Sequence, residues 1–153
     1  MSEPNDKFYF DDIEPDAQLL SSETVLDREA MRDFARRWDP LPIHLDEETA
    51  RKAGLGDITA SGSFLLATKN RLLYELGVDM AVIASFGFDE VRFKEPGKPG
   101  DVVRLRLTWL EKRLSTSRPD RGIAKHLGEL MRADGTVILS LIDTVMIRTR
   151  PRA

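Results

Sequence analysis

Ser61-Gly62-Ser63-Phe64-Leu65-Leu66-Ala67-Thr68-Lys69-Asn70-Arg71-Leu72-Leu73-Tyr74-Glu75-Leu76-Gly77 is the stretch whose reading decides the architecture. Ser61 is a helix N-cap residue type and Gly77 a closing one. Between them the leucines keep helical spacing, and the first half, Phe64 to Ala67, is apolar nearly all round. A helix of that kind is expected to be wrapped by the rest of the chain. After it the texture changes. Val82 to Phe86 and Val91 to Phe93 read as strands, and Pro96-Gly97-Lys98-Pro99-Gly100-Asp101 as a turn. Val103, Leu105, Leu107 and Trp109 alternate with polar residues, which is the period of a half-buried strand. Ser115 to Gly122 is a polar loop, Ile123 to Met131 a third strand, Asp134-Gly135 a hairpin turn and Val137 to Ile147 a fourth strand. Helices followed by an antiparallel meander predict an α+β fold, with one long helix against one curved sheet.

Upstream of the long helix the signals are shorter. Leu19-Leu20 and Thr24-Val25-Leu26 form a candidate first strand. Asp27 is a candidate N-cap, and Ala30, Met31, Phe34, Ala35 and Trp38 place an amphipathic helix over 27–38. Pro40 and Pro42 stop it and hold Asp39 and Leu41 extended. Asp46 to Ala53 reads as a short solvated helix closed by Gly54. Residues 1–7 are expected to be a flexible arm, with Phe8, Tyr9 and Phe10 pinning it to the body. At 153 residues the chain is the size of one domain, taken as 1–153.

The bulk numbers narrow the function classes. The net charge of -3 gives no basic field for nucleic acid. With no cysteine there is no disulfide, thiolate metal site or cysteine nucleophile, which suits a reducing compartment. Met1 to Asp16 lacks a signal-peptide layout and no apolar run has the length of a membrane span. The expectation is a cytoplasmic protein without a membrane partner.

Chemistry is expected at Trp38-Asp39-Pro40-Leu41-Pro42-Ile43-His44. An aspartate and a histidine five apart in a proline-stiffened loop can converge on one point. Hydration and dehydration need such a pair, one group moving a proton at carbon and another at oxygen. From residue types alone, a loop-capping Asp39 and a packed His44 is the commoner arrangement.

The segment resembles the hydratase motif of the MaoC-like acyl dehydratases, the (R)-specific enoyl-CoA hydratases, which reads Gly-Asp-x-Asn-Pro-x-His. Asp39, Pro42 and His44 fall on its Asp, Pro and His. Leu45-Asp46-Glu47-Glu48, Ala60-Ser61-Gly62, Pro99-Gly100-Asp101, Leu110 to Arg113, Ser117 to Gly122 and Asp134-Gly135 extend the likeness over nearly the whole chain from about Phe8. Two residues depart from the motif: Trp38 stands at its Gly and Leu41 at its Asn. Leu41 cannot hydrogen-bond, so one positioning contact is lost or replaced.

The resemblance implies the hot-dog fold, an antiparallel sheet curled round a long helix. It implies a hydro-lyase acting on an acyl thioester, with coenzyme A as part of the substrate and no separate cofactor or metal. Asp39 and His44 would be one acid/base unit. The Gly62 N–H, at a helix start with Ser61 as cap, would polarise the thioester carbonyl. Asn70, eight residues after Gly62, would hold the catalytic aspartate, or else simply face a loop. Arg118 and Arg121 would suit the phosphates of coenzyme A, a solvated loop being the commoner reason for them. Unpaired sheet edges make a homodimer or larger homo-oligomer the expected assembly. The competing readings are a non-catalytic acyl-CoA-binding relative, suggested by Trp38 and Leu41, and a thioesterase. The latter would need a carboxylate on the long helix, where Glu75 lies near the far end. His126 reads as structural, and Arg148, Arg150 and Arg152 as a solvated tail.

Overall fold

The computed structural model describes residues 7–153. The arm expected over 1–7 therefore lies, but for Lys7, outside the described residues.

Five strands build the main sheet's path: β2 (Gln18–Leu20), β6 (Val102–Leu114), β7 (Arg121–Arg132), β8 (Val137–Arg148) and β5 (Val82–Phe93), in the spatial order β2-β6-β7-β8-β5. All these pairings are antiparallel, and β3 (Thr24–Val25) adds a second short partner for β6. The single first strand expected over 19–26 is thus two pieces. Ser21 interrupts them, where its hydroxyl accepts from the Leu105 N–H and its own N–H donates to the Leu105 carbonyl. A separate parallel ribbon joins β1 (Lys7–Phe8) to β4 (Asp79–Met80).

The alternation read from β6 points Val103, Leu105, Leu107 and Trp109 inward, all essentially unexposed. Leu130 of β7 and Leu139, Leu141, Val145 and Ile147 of β8 continue that floor. On it lies α3 (Gly62–Leu73), which buries Leu65, Lys69 and Leu72. The helix is wrapped less completely than its apolar first half implied. Ser63, Ala67 and Asn70 form an exposed stripe, while Phe64 is taken up sideways by an edge contact with Phe34.

Phe34 belongs to α1 (Arg28–Trp38), which Asp27 caps by accepting from the Ala30 N–H and which turns Met31 and Ala35 to the core. Arg28 donates to Asp57 and Glu47, and Arg32 to Glu47, tying α1 to α2 (Glu47–Lys52) and to the segment leading into α3. Expected strands 82–86 and 91–93 are one strand, β5, broken by register shifts. Gly87 (φ 145°) and Glu90 (φ 52°) sit at those shifts, where the chain leaves extended geometry and bends. Phe8, Tyr9 and Phe10 do anchor the amino-terminal region: Phe8 stacks on Trp109 and Phe10 is buried.

Candidate active site

Asp39 and His44 owe their placement to two successive stiff turns. Asp39 ends α1, its N–H still donating to the Ala35 carbonyl. Its own carbonyl accepts from the Leu41 N–H across Pro40, and Pro42 then opens a turn of 3-10 helix over Pro42–His44. The His44 N–H closes back on the Leu41 carbonyl. Five residues are thereby folded so that both side chains face the same way, with Asp39 Oδ2 3.6 Å from His44 Nε2.

The other face of the imidazole is fixed by Thr59. Its carbonyl lies 2.7 Å from His44 Nδ1, and a carbonyl only accepts, so Nδ1 carries a proton. In the neutral ring Nε2 is then the unprotonated nitrogen, and it is the one turned to Asp39. The Thr59 N–H donates to the Ile43 carbonyl, locking the two segments in register. His44 is buried, whereas the Asp39 side chain is 41% exposed. Two acceptors 3.6 Å apart do not bond each other, but one water can donate to both.

Ser61 and Gly62 follow Thr59 directly. Ser61 is buried and its hydroxyl accepts from the Phe64 N–H, capping α3. Gly62 and Ser63 have no partner for their N–H groups among the described residues. They stand at the positive end of the helix dipole. A cavity of about 310 Å³ has both His44 and Gly62 in its wall, with Thr59, Leu65 and Phe93. Phe93 of β5 covers Gly62 so closely that a Cβ there would sit 2.5 Å from its ring.

Of the residues singled out in the sequence, His44 and Gly62 share one cavity, Asp39 faces His44 from outside the wall of that cavity, and Ser61 caps the helix beside Gly62. Leu41 adjoins them, half exposed and without a polar contact to offer. Asn70 is elsewhere: exposed, with no hydrogen bond to Asp39 among the described residues, it lines a second cavity at the other end of α3. Arg118 lies in the β6–β7 turn and Arg121 opens β7, whereas the cavity lies by Phe93 and Gly97 at the opposite end of the sheet. Arg121 is paired with Asp120. The two contributors that the sequence did not announce are Thr59 and Phe93. A threonine two residues before a helix cap is the only local sign of the first, and the second arrives from a strand far along the chain. Glu75 is held by Ser22 and Arg71 at the far end of α3, away from this cavity.

A family model described as MaoC like domain matches residues 12–126. Protein MaoC from Klebsiella aerogenes is 33% identical over 111 residues, which is 72% of this chain and 33% of that protein. The chain thus spans about a third of the length of that curated relative. A MaoC-like dehydratase structure from Rhodospirillum rubrum is 31% identical, with a TM-score of 0.88 over 95% of this chain and 99% of that one. An unliganded (R)-hydratase from Pseudomonas aeruginosa, 18% identical, shares the fold, with a TM-score of 0.73 over 93% of this chain and 86% of that one. The sheet curled about α3 is the hot-dog fold, and the chain belongs to the MaoC-like domain family.

Proposed function

We propose that this chain is a hydro-lyase that adds water reversibly to a 2-enoyl thioester, with coenzyme A as the carrier. The observation that carries the reading is the facing pair of acceptors, Asp39 Oδ2 and His44 Nε2, with the histidine tautomer fixed by Thr59. In hydration one water donates to both. As its oxygen bonds to C3 the pair takes one of its protons, and a proton is returned to C2. The thioester oxygen, on which negative charge grows, accepts from the free N–H of Gly62 at the start of α3. Dehydration is the same path reversed, and Asp39 and His44 act as one unit whose protons are shared.

Lys94, in the cavity wall, is a cation the cavity itself offers to the carrier's phosphates. Arg118 and Arg121, at the other end of the sheet, serve them only when brought by a second copy. Such a copy has a place to pair. β5 ends the sheet, most of its residues are exposed, and they include Val82, Phe86 and Phe93. A homodimer or larger homo-oligomer through this edge belongs to the same reading.

Leu41 favours one competing reading, a relative that binds acyl-CoA without turning it over. The test is incubation with crotonyl-CoA and longer enoyl-CoAs, following the conjugated thioester absorbance and, separately, free thiol. Loss of absorbance without thiol is the expected result. Asp39→Asn and His44→Ala should each lower the rate by roughly 10²–10⁴-fold, with the circular dichroism spectrum unchanged. Binding without turnover would establish the competing reading, and thiol release would refute both.

A further inference from the structure

Apolar burial presses α1 against the core through Met31 and Ala35, and Phe34 meets Phe64 edge-on. Attraction of this kind is non-directional and leaves a helix free to tilt and slide a little. Asp39, at the end of α1, has to stand at a set distance from His44 for the two to share a water. About 16 Å of helix separates Arg28 from Asp39, at 1.5 Å per residue. A tilt of about 4° at the Arg28 end moves Asp39 by about 1 Å, and a displacement of that size costs roughly 10²-fold in rate. A directional hold on the helix is therefore needed.

Arg28 and Arg32 supply it. They lie one turn apart on α1, on the same face of the helix. Arg28 meets Asp57 as a fork, Nη1 donating to Oδ1 at 2.8 Å and Nη2 to Oδ2 at 2.6 Å. Nη1 also donates to Glu47 Oε1 at 2.9 Å, and Arg32 Nη2 donates to that same oxygen at 3.0 Å. Arg32 Nε donates to the Leu45 carbonyl at 3.3 Å. These anchor points flank His44. Leu45 follows it directly, and Glu47 opens α2 just beyond. Asp57 Oδ1 accepts from the Ile58 N–H at 2.8 Å. That bond ties the carboxylate to the backbone immediately before Thr59, the residue whose carbonyl fixes the His44 tautomer.

The helix that carries the aspartate thus grips, from its other end, both segments that carry and orient the histidine. We propose that Arg28 and Arg32, with Asp57 and Glu47 as their acceptors, are positioning residues that set the spacing and mutual orientation of Asp39 and His44. The kinetic consequence rests on the hydro-lyase reading; the effect on the His44 ring rests on geometry alone. Lysine is no substitute for Arg28. It is a point charge without a fork, so it keeps the attraction and loses the register. Stability is not what the cluster chiefly serves. Arg28, Glu47 and Asp57 are all partly exposed, and ion pairs open to water add little to a fold. Catalysis, which responds to displacements of about 0.5 Å, is where their loss registers.

Hydration of crotonyl-CoA by Arg28→Lys, Arg28→Met, Arg32→Met and Asp57→Asn tests the proposal. In each, kcat should fall by roughly 10–10²-fold while KM stays within about threefold. The urea midpoint should remain close to that of the unaltered protein. Arg28→Met combined with Asp57→Asn should be no slower than the slower single variant, because both remove the same contact. Arg36→Met is the control: Arg36 is on the same helix but pairs with Asp33, and its loss should leave kcat unchanged. The chain has two histidines, so ¹H–¹⁵N spectra resolve the ring of each. The His44 ring signals should move in Arg28→Lys while those of His126 stay in place. An unchanged kcat with only the urea midpoint lowered would make the cluster a purely stabilising one and overturn the proposal. A loss in Arg36→Met as large as in Arg28→Met would overturn it too. If the unaltered protein hydrates no enoyl thioester, the hydro-lyase reading falls and the spectra decide the positioning role by themselves. His44 signals that shift in Arg28→Lys uphold it, and unmoved ones overturn it. Arg28→Lys keeps the stem and the charge, and its result stands should Arg28→Met fail to fold.

Discussion

Acidification should weaken the fold through His126 before it weakens it through the carboxylates, and His126→Leu should remove that part. Burial drives the imidazole from its ordinary 6.5 down to about 4. Asp143 of β8 pulls it back up, and Lys69 of α3 pushes it further down. The sign follows from which state holds the proton. In the unfolded chain His126 is protonated below about 6.5, while in the folded chain it stays neutral until about 4. Between these values the unfolded state binds one more proton, so stability is full above 6.5 and falls as pH is lowered. One proton linked across that window is worth about 3 kcal/mol in total, or about 1.4 kcal/mol per pH unit. The depressed carboxylates act lower: Asp57, held at about 2 by the Arg28 guanidinium, loses its contribution only below the ordinary carboxylate value of 3.8. Urea unfolding at fixed protein concentration, repeated from pH 8 to pH 4, gives the two stability curves. The unaltered protein should lose stability more steeply than His126→Leu between 6.5 and 4, and the curves should run parallel above. Parallel curves throughout, or a His126 ring signal titrating near 6.5, would refute the argument.

Two further substitutions probe the candidate active site. Gly62→Ala places a methyl group against the Phe93 ring; Phe93 is half exposed and can swing outward, so unfolding stability should fall by less than about 1.5 kcal/mol while enoyl-CoA hydration falls at least tenfold, and a variant with unchanged turnover would remove Gly62 from the mechanism. Leu41→Asn restores the amide of the motif at a half-exposed position; the melting temperature should hardly move and hydration should rise, whereas a fall in rate would show that leucine is fitted to this site.

How far the sequence revealed all this depends on whether a signal is local. The α3 helix and the β6, β7 and β8 strands were legible because each carries its own period and its own turn residues. β5 was read as two strands because Gly87-Phe88-Asp89-Glu90 looks like an interruption; an edge strand paired on one side can bulge there and continue. The incomplete wrapping of α3 was hidden because Phe64, Leu65 and Leu66 point to different partners, which a run of apolar letters does not separate. Asp39, His44 and Gly62 were legible because turns and a helix start, all local devices, place them. Thr59 and Phe93 act only through tertiary contact. The buried charged row of Lys69, His126 and Asp143 was passed over for a different reason. His126 alone in a strand and Lys69 alone in a helix each look incidental, although Leu65, Lys69 and Leu72 already lie on one helical stripe by spacing. Only the register of β7 against β8 joins them to Asp143.

The two histidines show what a satisfied and an unsatisfied buried imidazole are good for. His44 has one nitrogen committed to a carbonyl and the other free toward a carboxylate, so its tautomer is fixed and its free lone pair is available for chemistry. His126 has no partner for Nδ1, while its Nε2 stands 3.5 Å from Asp143 Oδ2, and the unpaired nitrogen is a cost to the fold. Both lie along the same helix and the same edge strand. β5 runs antiparallel to α3, Phe93 covering Gly62 at one end and Phe88 lying under Lys69 at the other. Each cavity therefore takes one aromatic ring of β5 as part of its wall. The register shifts within β5 fall between and around those rings, which lets one strand present side chains to two sites that a regular strand would not serve in the same spacing. The bulges on this edge are thus tied to both cavities, and a second copy pairing along β5 would close over both at once.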